Sequence, residues 1–200
     1  MKIGLYGGTF SPPHIAHVRA ARLFCEKAEL DRLYVMPAGI PPHKLADEWG
    51  KSEYRLEMTR LAFSSFATVS DYEIKKEGRS FTVDTLRYLR ESFPSDELYM
   101  LVGEDMFLSL DSWKAPDEIM KLATIVALRR KGGDLRVLEG AAEDYKARYS
   151  AKIMIIEDEP MEVSSTQIRN LIAAGEDADR LLPEGVSEYI KENNLYKNEN

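Results

Sequence analysis

Apolar and β-branched residues gather in short runs along this chain, at 2–7 (KIGLYG), 32–38 (RLYVMPA), 67–73 (ATVSDYE), 98–103 (LYMLVG), 124–130 (TIVALRR) and 152–157 (KIMIIE). Between them, apolar positions return at helical spacing over 15–28, 52–63, 83–93 and 116–122, more weakly over 135–149, and again over 166–174 and 186–193. Strand and helix alternate almost throughout, which predicts an α/β fold around a mostly parallel sheet. Runs such as LYMLV and KIMII show little polar alternation, as strands covered on both faces should. In such sheets ligands sit beyond the carboxyl ends of the strands. The loops after the first, fourth and sixth runs therefore draw attention, and each carries unusual chemistry.

Composition narrows the classes without naming a function. The chain has 200 residues, which predicts a single domain over 1–200, with helices of about 164–196 packed on the sheet. Hydrophobic content of 44% and charged content of 30% fit a soluble globular protein. No apolar run approaches the ~20 residues that span a bilayer, so no membrane partner is expected. Met1-Lys2 leads straight into IGLYGG without a signal-peptide pattern. The one cysteine, Cys25, cannot form an internal disulfide and lies in a helical pattern, where it reads as a core residue. A reducing, cytoplasmic setting is expected. The net charge of −7, from 27 basic and 34 acidic residues, argues against a broad nucleic-acid surface. It leaves room for a small anion held by local cations and helix starts. The tail YKNEN reads as frayed.

The stretch GLYGGTFSPPHIAHVRAARLF (4–24) asks to be read as a phosphate loop. It is not the dinucleotide fingerprint, because Gly4, Gly7 and Gly8 do not fall as G-x-G-x-x-G, and the second strand ends in MPAG without an acidic residue. The GKS at 50–52 is not a P-loop, because Leu45 stands where the first glycine belongs and no strand precedes it. A third reading holds. Gly7 and Gly8 permit a tight turn, Ser11 suits an N-cap, Pro12 suits the first helical position, and the helix start would face an anion. His14 and His17, three apart, share one face of that first turn and could donate to phosphate. For an arbitrary histidine pair, one on the surface and one in the core is the commoner reading. The spacing does not match H-E-x-x-H, no third ligand is near, and no protein metal site is expected.

GGTFSPPHIAH resembles the signature of the nucleotidylyltransferase superfamily, in the GGTFDPxHxGH form carried by nicotinate-nucleotide adenylyltransferases. Ser11 replaces the usual Asp, and Ala16 the usual Gly. Class I aminoacyl-tRNA synthetases share a similar element, but this chain is too short for one. A second match lies near the end, where EVSSTQIRNLI (162–172) resembles the family's ISSTxxR, with Val163 in place of Ile. Ser164 and Gln167 also form an S-x-x-Q capping box, an ordinary helix start. LLPEGVSEYIKENNLY (181–196) continues the match. In the middle, AGIPPHK, SFTVDTL, LVGEDMFLSLDSW and, more weakly, ALRRKGG resemble family segments; Phe81 stands for Tyr, Glu104 for Ala and Arg130 for Pro.

The resemblance covers nearly the whole chain and implies the nucleotidylyltransferase fold, a Rossmann-like doubly wound parallel sheet with a C-terminal helical segment. It implies transfer of AMP from ATP to nicotinate mononucleotide, with Mg²⁺ bound through substrate. ATP would be held by Gly7, Gly8, Thr9, Phe10, His14, His17, Gly103, Asp105, Ser164, Ser165, Thr166 and Arg169, with His14, His17 and Arg169 acting on the reacting phosphates. Nicotinate mononucleotide would meet Lys44, Thr82, Asp105, Trp113 and Arg129, with Asp84 nearby in a structural role. The polar loop from Leu45 to Ser52 is expected to be mobile. Oligomeric state is not implied. The rivals are a sister adenylyltransferase acting on nicotinamide mononucleotide or phosphopantetheine, a dehydrogenase, which the failed glycine fingerprint opposes, and a nucleotide sensor without catalysis.

Overall fold

A computed structural model describes residues 1–39, 51–76, 79–130, 135–159 and 161–197. Its elements run β1 (Lys2–Gly8), α1 (Ile15–Ala28), β2 (Arg32–Pro37), α2 (Ser52–Phe63), β3 (Thr68–Val69), α3 (Tyr72–Lys75), α4 (Thr82–Ser92) and β4 (Glu97–Gly103). There follow α5 (Glu104–Leu108), α6 (Pro116–Leu122), β5 (Thr124–Arg130), α7 (Leu135–Tyr149), β6 (Ile153–Asp158), α8 (Ser165–Ala173) and α9 (Val186–Glu192). The strands make a six-stranded sheet in the order β3-β2-β1-β4-β5-β6. The pairs β1–β4, β4–β5 and β5–β6 are parallel. This is the Rossmann-like doubly wound order, in which the chain reverses its direction of travel across the sheet after β3. No helix among the described residues is long and apolar enough to cross a membrane.

The chain folds as two compact units interleaved in sequence. The first comprises Met1–Gly7, Arg22–Tyr34 and Phe81–Pro160. Its inner strands β4 and β5 are covered on both faces: Leu98 through Val102 are all buried, as are Ile125, Val126 and Ala127, which is why these runs lack polar alternation. The edge strand β6 buries only Ile156. Helix α4 turns Val83, Leu86 and Leu89 inward at helical spacing. The buried Tyr145 of α7 donates its hydroxyl to the Phe107 carbonyl at 2.9 Å and meets the Phe107 ring edge-on at 5.3 Å. That pairing fixes α5, the short helix that carries Asp105.

The second unit comprises Gly8–Ala21, Val35–Ser80 and Met161–Asn200. Its core includes Phe10, Met58, Phe63, Val186 and Ile190, with the Phe10 and Phe63 rings 5.5 Å apart. The expected strand over 67–73 is cut to Thr68–Val69. The Ser70 main-chain N–H pairs with the Val35 carbonyl at 3.0 Å, and its hydroxyl then accepts from Tyr72 N–H at 3.3 Å. A serine that captures the N–H two residues on turns the chain out of the sheet, and α3 begins there.

Candidate active site

The opening loop differs from its sequence reading in where the turn is made. Gly7 and Gly8 are the last residues of β1, and the left-handed residue is Phe10, at φ 50°. A bulky side chain in that conformation is strained. It is held because the Phe10 ring is buried, edge-on to the His17 ring at 5.2 Å and beside Phe63. Gly8 is needed for a different reason from the one expected: a Cβ there would lie 2.8 Å from the Phe10 ring.

The helix start is also displaced. Ser11 is not the cap, nor Pro12 the first helical residue, because α1 begins at Ile15. The second proline accounts for part of this: Pro13 disfavours helical geometry at Pro12, which removes Pro12 from the first helical position, and His14 stands directly before the first helical residue, Ile15. The His14 carbonyl accepts from His17 N–H at 2.9 Å and Val18 N–H at 3.3 Å. The His14 N–H in turn donates to Nδ1 of His17 at 3.2 Å. This is the back-bond of a capping box, with histidine where Glu or Gln usually stands. The two imidazoles stack at 3.6 Å, 22° from parallel.

These contacts set the protonation state of His17. Burial lowers its pKa well below the usual histidine value, and the neighbouring His14 adds to the shift. The ring is therefore neutral at pH 7. Since Nδ1 accepts a main-chain N–H, the proton resides on Nε2. His17 thus presents a neutral N–H donor.

The second motif arrives at the same loop. Ser164 caps α8 and accepts from Gln167 N–H at 3.1 Å, as its S-x-x-Q pattern predicts. Ser165 donates its hydroxyl to the Pro12 carbonyl at 2.8 Å. Arg169 donates to the Ser11 carbonyl at 2.7 Å and to the Thr166 hydroxyl at 3.2 Å. The buried Ser11 hydroxyl shares a hydrogen bond of 3.1 Å with the Tyr196 hydroxyl. Burial raises the Tyr196 pKa to about 12, against the Ser11 hydrogen bond and the charges of Arg169 and Arg55. Thr9, Phe10, His14, His17, Ser164, Ser165, Thr166 and Arg169 therefore stand in one neighbourhood of the second unit. Among the described residues, no group of three or more His, Cys, Asp or Glu is placed to hold a metal ion.

Thr82, Gly103, Asp105, Trp113 and Arg129 belong to the first unit. Gly103 ends β4 as the residue before α5, and Asp105 is exposed in the first turn of that helix. Thr82 is the first residue of α4. Phe81, just before it, lies under the Lys114 ammonium, 4.2 Å from ring centroid to Nζ. Asp84 pairs with Arg87 at 3.1 Å and Lys114 at 3.7 Å, while Arg87 forks onto both carboxylate oxygens of Glu118. Asp84 thus stitches the start of α4 to its surroundings. Trp113 is half-buried and follows a 3₁₀ turn over Leu110–Ser112. Arg129 pairs with Glu157, its register partner on β6. Lys44 and the loop at 45–50 lie outside the described residues.

A family model described as cytidylyltransferase-like matches residues 5–171. A probable nicotinate-nucleotide adenylyltransferase of Clostridium perfringens is 40% identical over 200 residues, covering 99% of each chain. The nicotinate-nucleotide adenylyltransferase of Bacillus subtilis is 33% identical, covering 98% of each. The chain belongs to the nicotinate-nucleotide adenylyltransferase family. Among solved structures, the nicotinic acid mononucleotide adenylyltransferase of Plasmodium falciparum complexed with NaAD aligns with a TM-score of 0.80 at 18% identity, covering 98% of this chain and 97% of that one. This last likeness concerns the fold.

Two residues of this family member escaped the sequence reading. The polar composition of 196–200 predicts a frayed tail, yet the Tyr196 hydroxyl reaches Ser11. Arg55 is the other. It is buried on α2 and donates to the main-chain carbonyls of Thr9 and Gly39. Its signal was present in the sequence, since Arg55 falls on the same helical face as Met58, Thr59, Ala62 and Phe63. A lone charge on an apolar stripe is the kind of buried polar group that needs an explanation.

Proposed function

We propose that this protein transfers AMP from ATP to the 5′-phosphate of nicotinate mononucleotide, giving nicotinate adenine dinucleotide and pyrophosphate, a step of NAD biosynthesis. The observation that carries the reading is the meeting of two motifs, in which Ser165 and Arg169 grip the backbone of Ser11–Pro12 across 153 and 158 residues of sequence. The acceptor is the one in the names of the relatives from C. perfringens and B. subtilis.

The chemistry needs no protein nucleophile. An oxygen of the mononucleotide phosphate, ionised at neutral pH, attacks the α-phosphorus of ATP. The bond from that phosphorus to the oxygen bridging to the β-phosphate breaks, and its electron pair leaves with pyrophosphate. The protein has to align two anions that repel and disperse the charge that develops on the leaving group. The Nε2–H of His17 is suited to that charge, since a neutral donor held by its cap needs no rearrangement during the reaction. His14, Ser164, Thr166 and Arg169 would add donors, and the Gly7–Phe10 backbone would line the phosphates. These imidazole, hydroxyl and guanidinium groups suit phosphate oxygens rather than a hard cation. Mg²⁺ would accordingly arrive with the substrate, as MgATP, and neutralise phosphate charge there. In the first unit, Asp105 beside Gly103 would take a ribose hydroxyl, Trp113 would stack on the pyridine ring and Thr82 would meet its carboxylate. Lys44 and Arg129 complete the proposed mononucleotide contacts.

The test is pyrophosphate release from MgATP with nicotinate mononucleotide, nicotinamide mononucleotide or phosphopantetheine as acceptor. A strong preference for the acid supports the full reading. Release with the amide alone would overturn the assignment of the pyridine subsite. Release with none would sink the enzyme reading in favour of a nucleotide sensor.

A further inference from the structure

Arg55 stands 3% exposed on the inner face of α2. Both of its hydrogen bonds among the described residues end on main-chain carbonyls: Nη1 donates to Thr9 at 2.9 Å and Nη2 to Gly39 at 3.0 Å. Nε has no hydrogen-bond partner among the described residues. Burial pulls the guanidinium pKa below its usual value, while Tyr196 and Glu73 act against this. Taking a guanidinium out of water costs free energy that a leucine or methionine on the same stripe would avoid. What arginine alone supplies is a planar fork that holds two points of main chain at once by charge-assisted hydrogen bonds.

The two points are not equivalent. Gly39 is packed so closely that a Cβ would lie 2.2 Å from the Glu73 carbonyl oxygen and 2.9 Å from the Ser80 hydroxyl, and that hydroxyl itself donates to the Glu73 carbonyl at 3.3 Å. This end of the fork is anchored. Thr9 lies in the opening loop between Gly8 and the left-handed Phe10. In a planar trans peptide the C=O and the following N–H point in opposite directions. Fixing the Thr9 carbonyl therefore fixes the direction of the Phe10 N–H.

We infer that Arg55 is a positioning residue, which sets the plane of the Thr9–Phe10 peptide against the anchored Gly39 so that the opening loop is ready for the phosphates of ATP. The inference rests on the proposed adenylyltransferase reading, in which that loop holds ATP. Arg55 acts through the loop and not on the substrate. Lysine in its place keeps the charge but cannot fork onto both carbonyls, and glutamine loses the charge as well.

The experiment compares the parent with Arg55→Lys and Arg55→Gln, measuring kcat, KM for each substrate and the melting temperature. Both variants should raise KM for ATP and lose about 10- to 100-fold in kcat/KM for ATP, the scale of a misplaced contact, while KM for nicotinate mononucleotide stays within about twofold of the parent. A purely structural role would lower the melting temperature and the active fraction yet leave KM for ATP at its parent value, and that result overturns the inference. Should both variants lose the native circular-dichroism spectrum, the parent answers instead: the ¹⁵N-labelled Phe10 amide resonance should shift when MgATP is added, and an unmoved resonance overturns the inference equally. A parent inactive with every acceptor condemns the adenylyltransferase reading itself, whereas an active parent beside variants of unchanged KM condemns only the role given to Arg55.

Discussion

The main-chain N–H of His14 donates to Nδ1 of His17 at 3.2 Å, while the two rings stack 3.6 Å apart. One contact performs two tasks: it closes the first turn of α1, and it selects the tautomer that places a proton on Nε2. The cap and the donor can be separated by substitution. Asparagine at 17 has a side-chain oxygen near the position of Nδ1 but nothing at the position of Nε2. His17→Asn should therefore keep its fold and melting temperature while turnover falls on the order of 10²–10³-fold, as when an oxyanion donor is removed. Steady-state pyrophosphate release beside a thermal melt checks both halves; near-normal turnover in a well-folded variant would refute the role given to Nε2.

The same histidine predicts a pH dependence. Its folded-state pKa lies well below the ordinary histidine value of about 6.5, so on acidification the unfolded chain takes up this proton first. The stability it contributes is complete above about pH 6.5 and is lost as pH falls from there toward the depressed folded value. Urea midpoints should drop over that window in the parent and drop less in His17→Asn. Identical slopes in the two proteins would mean that His17 is not held neutral by burial.

The two adjacent glycines at the end of β1 should behave differently. A Cβ on Gly7 meets nothing within 4 Å, whereas one on Gly8 lies 2.8 Å from the ring of the buried Phe10. Gly7→Ala should leave stability within about 0.5 kcal/mol, the usual range for an unobstructed surface position. Gly8→Ala has to displace a ring that is packed on His17 and Phe63, at about 1–3 kcal/mol. Chemical denaturation of the two variants makes the comparison, and equal losses would contradict the packing of Phe10 over Gly8.

Tyr196 gives an alkaline counterpart. Tyr196→Phe removes one partner of the buried Ser11 hydroxyl, for a loss of about 0.5–1.5 kcal/mol. Because its pKa is raised from 10.0 to about 12, the unfolded chain releases this proton first as pH rises. The stability tied to it is full below about pH 10 and is lost as pH climbs through 12. Tyrosinate absorbance should show one late-titrating tyrosine fewer in Tyr196→Phe, and an unchanged titration would place this hydroxyl in water.

Much of the scaffold could be read from the chain. The strands at 98–103, 124–130 and 152–157 appear within a residue of their predicted bounds, because each writes a short apolar run with polar ends. The last, at the sheet edge, buries only Ile156 and is not covered on both faces, contrary to what its run predicts. The run at 67–73 misled for a local reason: Ser70 and Asp71 divert the backbone into α3 after two residues of pairing. The first motif is legible in the sequence, but its residue types put the turn on the glycines and the cap on Ser11, whereas the left-handed residue is Phe10 and the cap is His14. Pro13 keeps Pro12 out of helical geometry and so rules it out as the first helical residue, but the cap at His14 is set by its bond to His17.

The amino-acid order alone settled the alternation of strand and helix, the helix cap at Ser164 and the set of donor types at the two motifs, since each depends on neighbours within a few positions. Tertiary structure decided what those donors hold. Ser165 and Arg169 reach Pro12 and Ser11 over more than 150 residues, Tyr196 closes on Ser11, and Arg55 joins Thr9 to Gly39 from a helix that looked merely amphipathic. A hydrogen bond between distant segments leaves no spacing in the sequence, because its geometry exists only after the chain has folded and its partner is so often a main-chain carbonyl, which every residue carries.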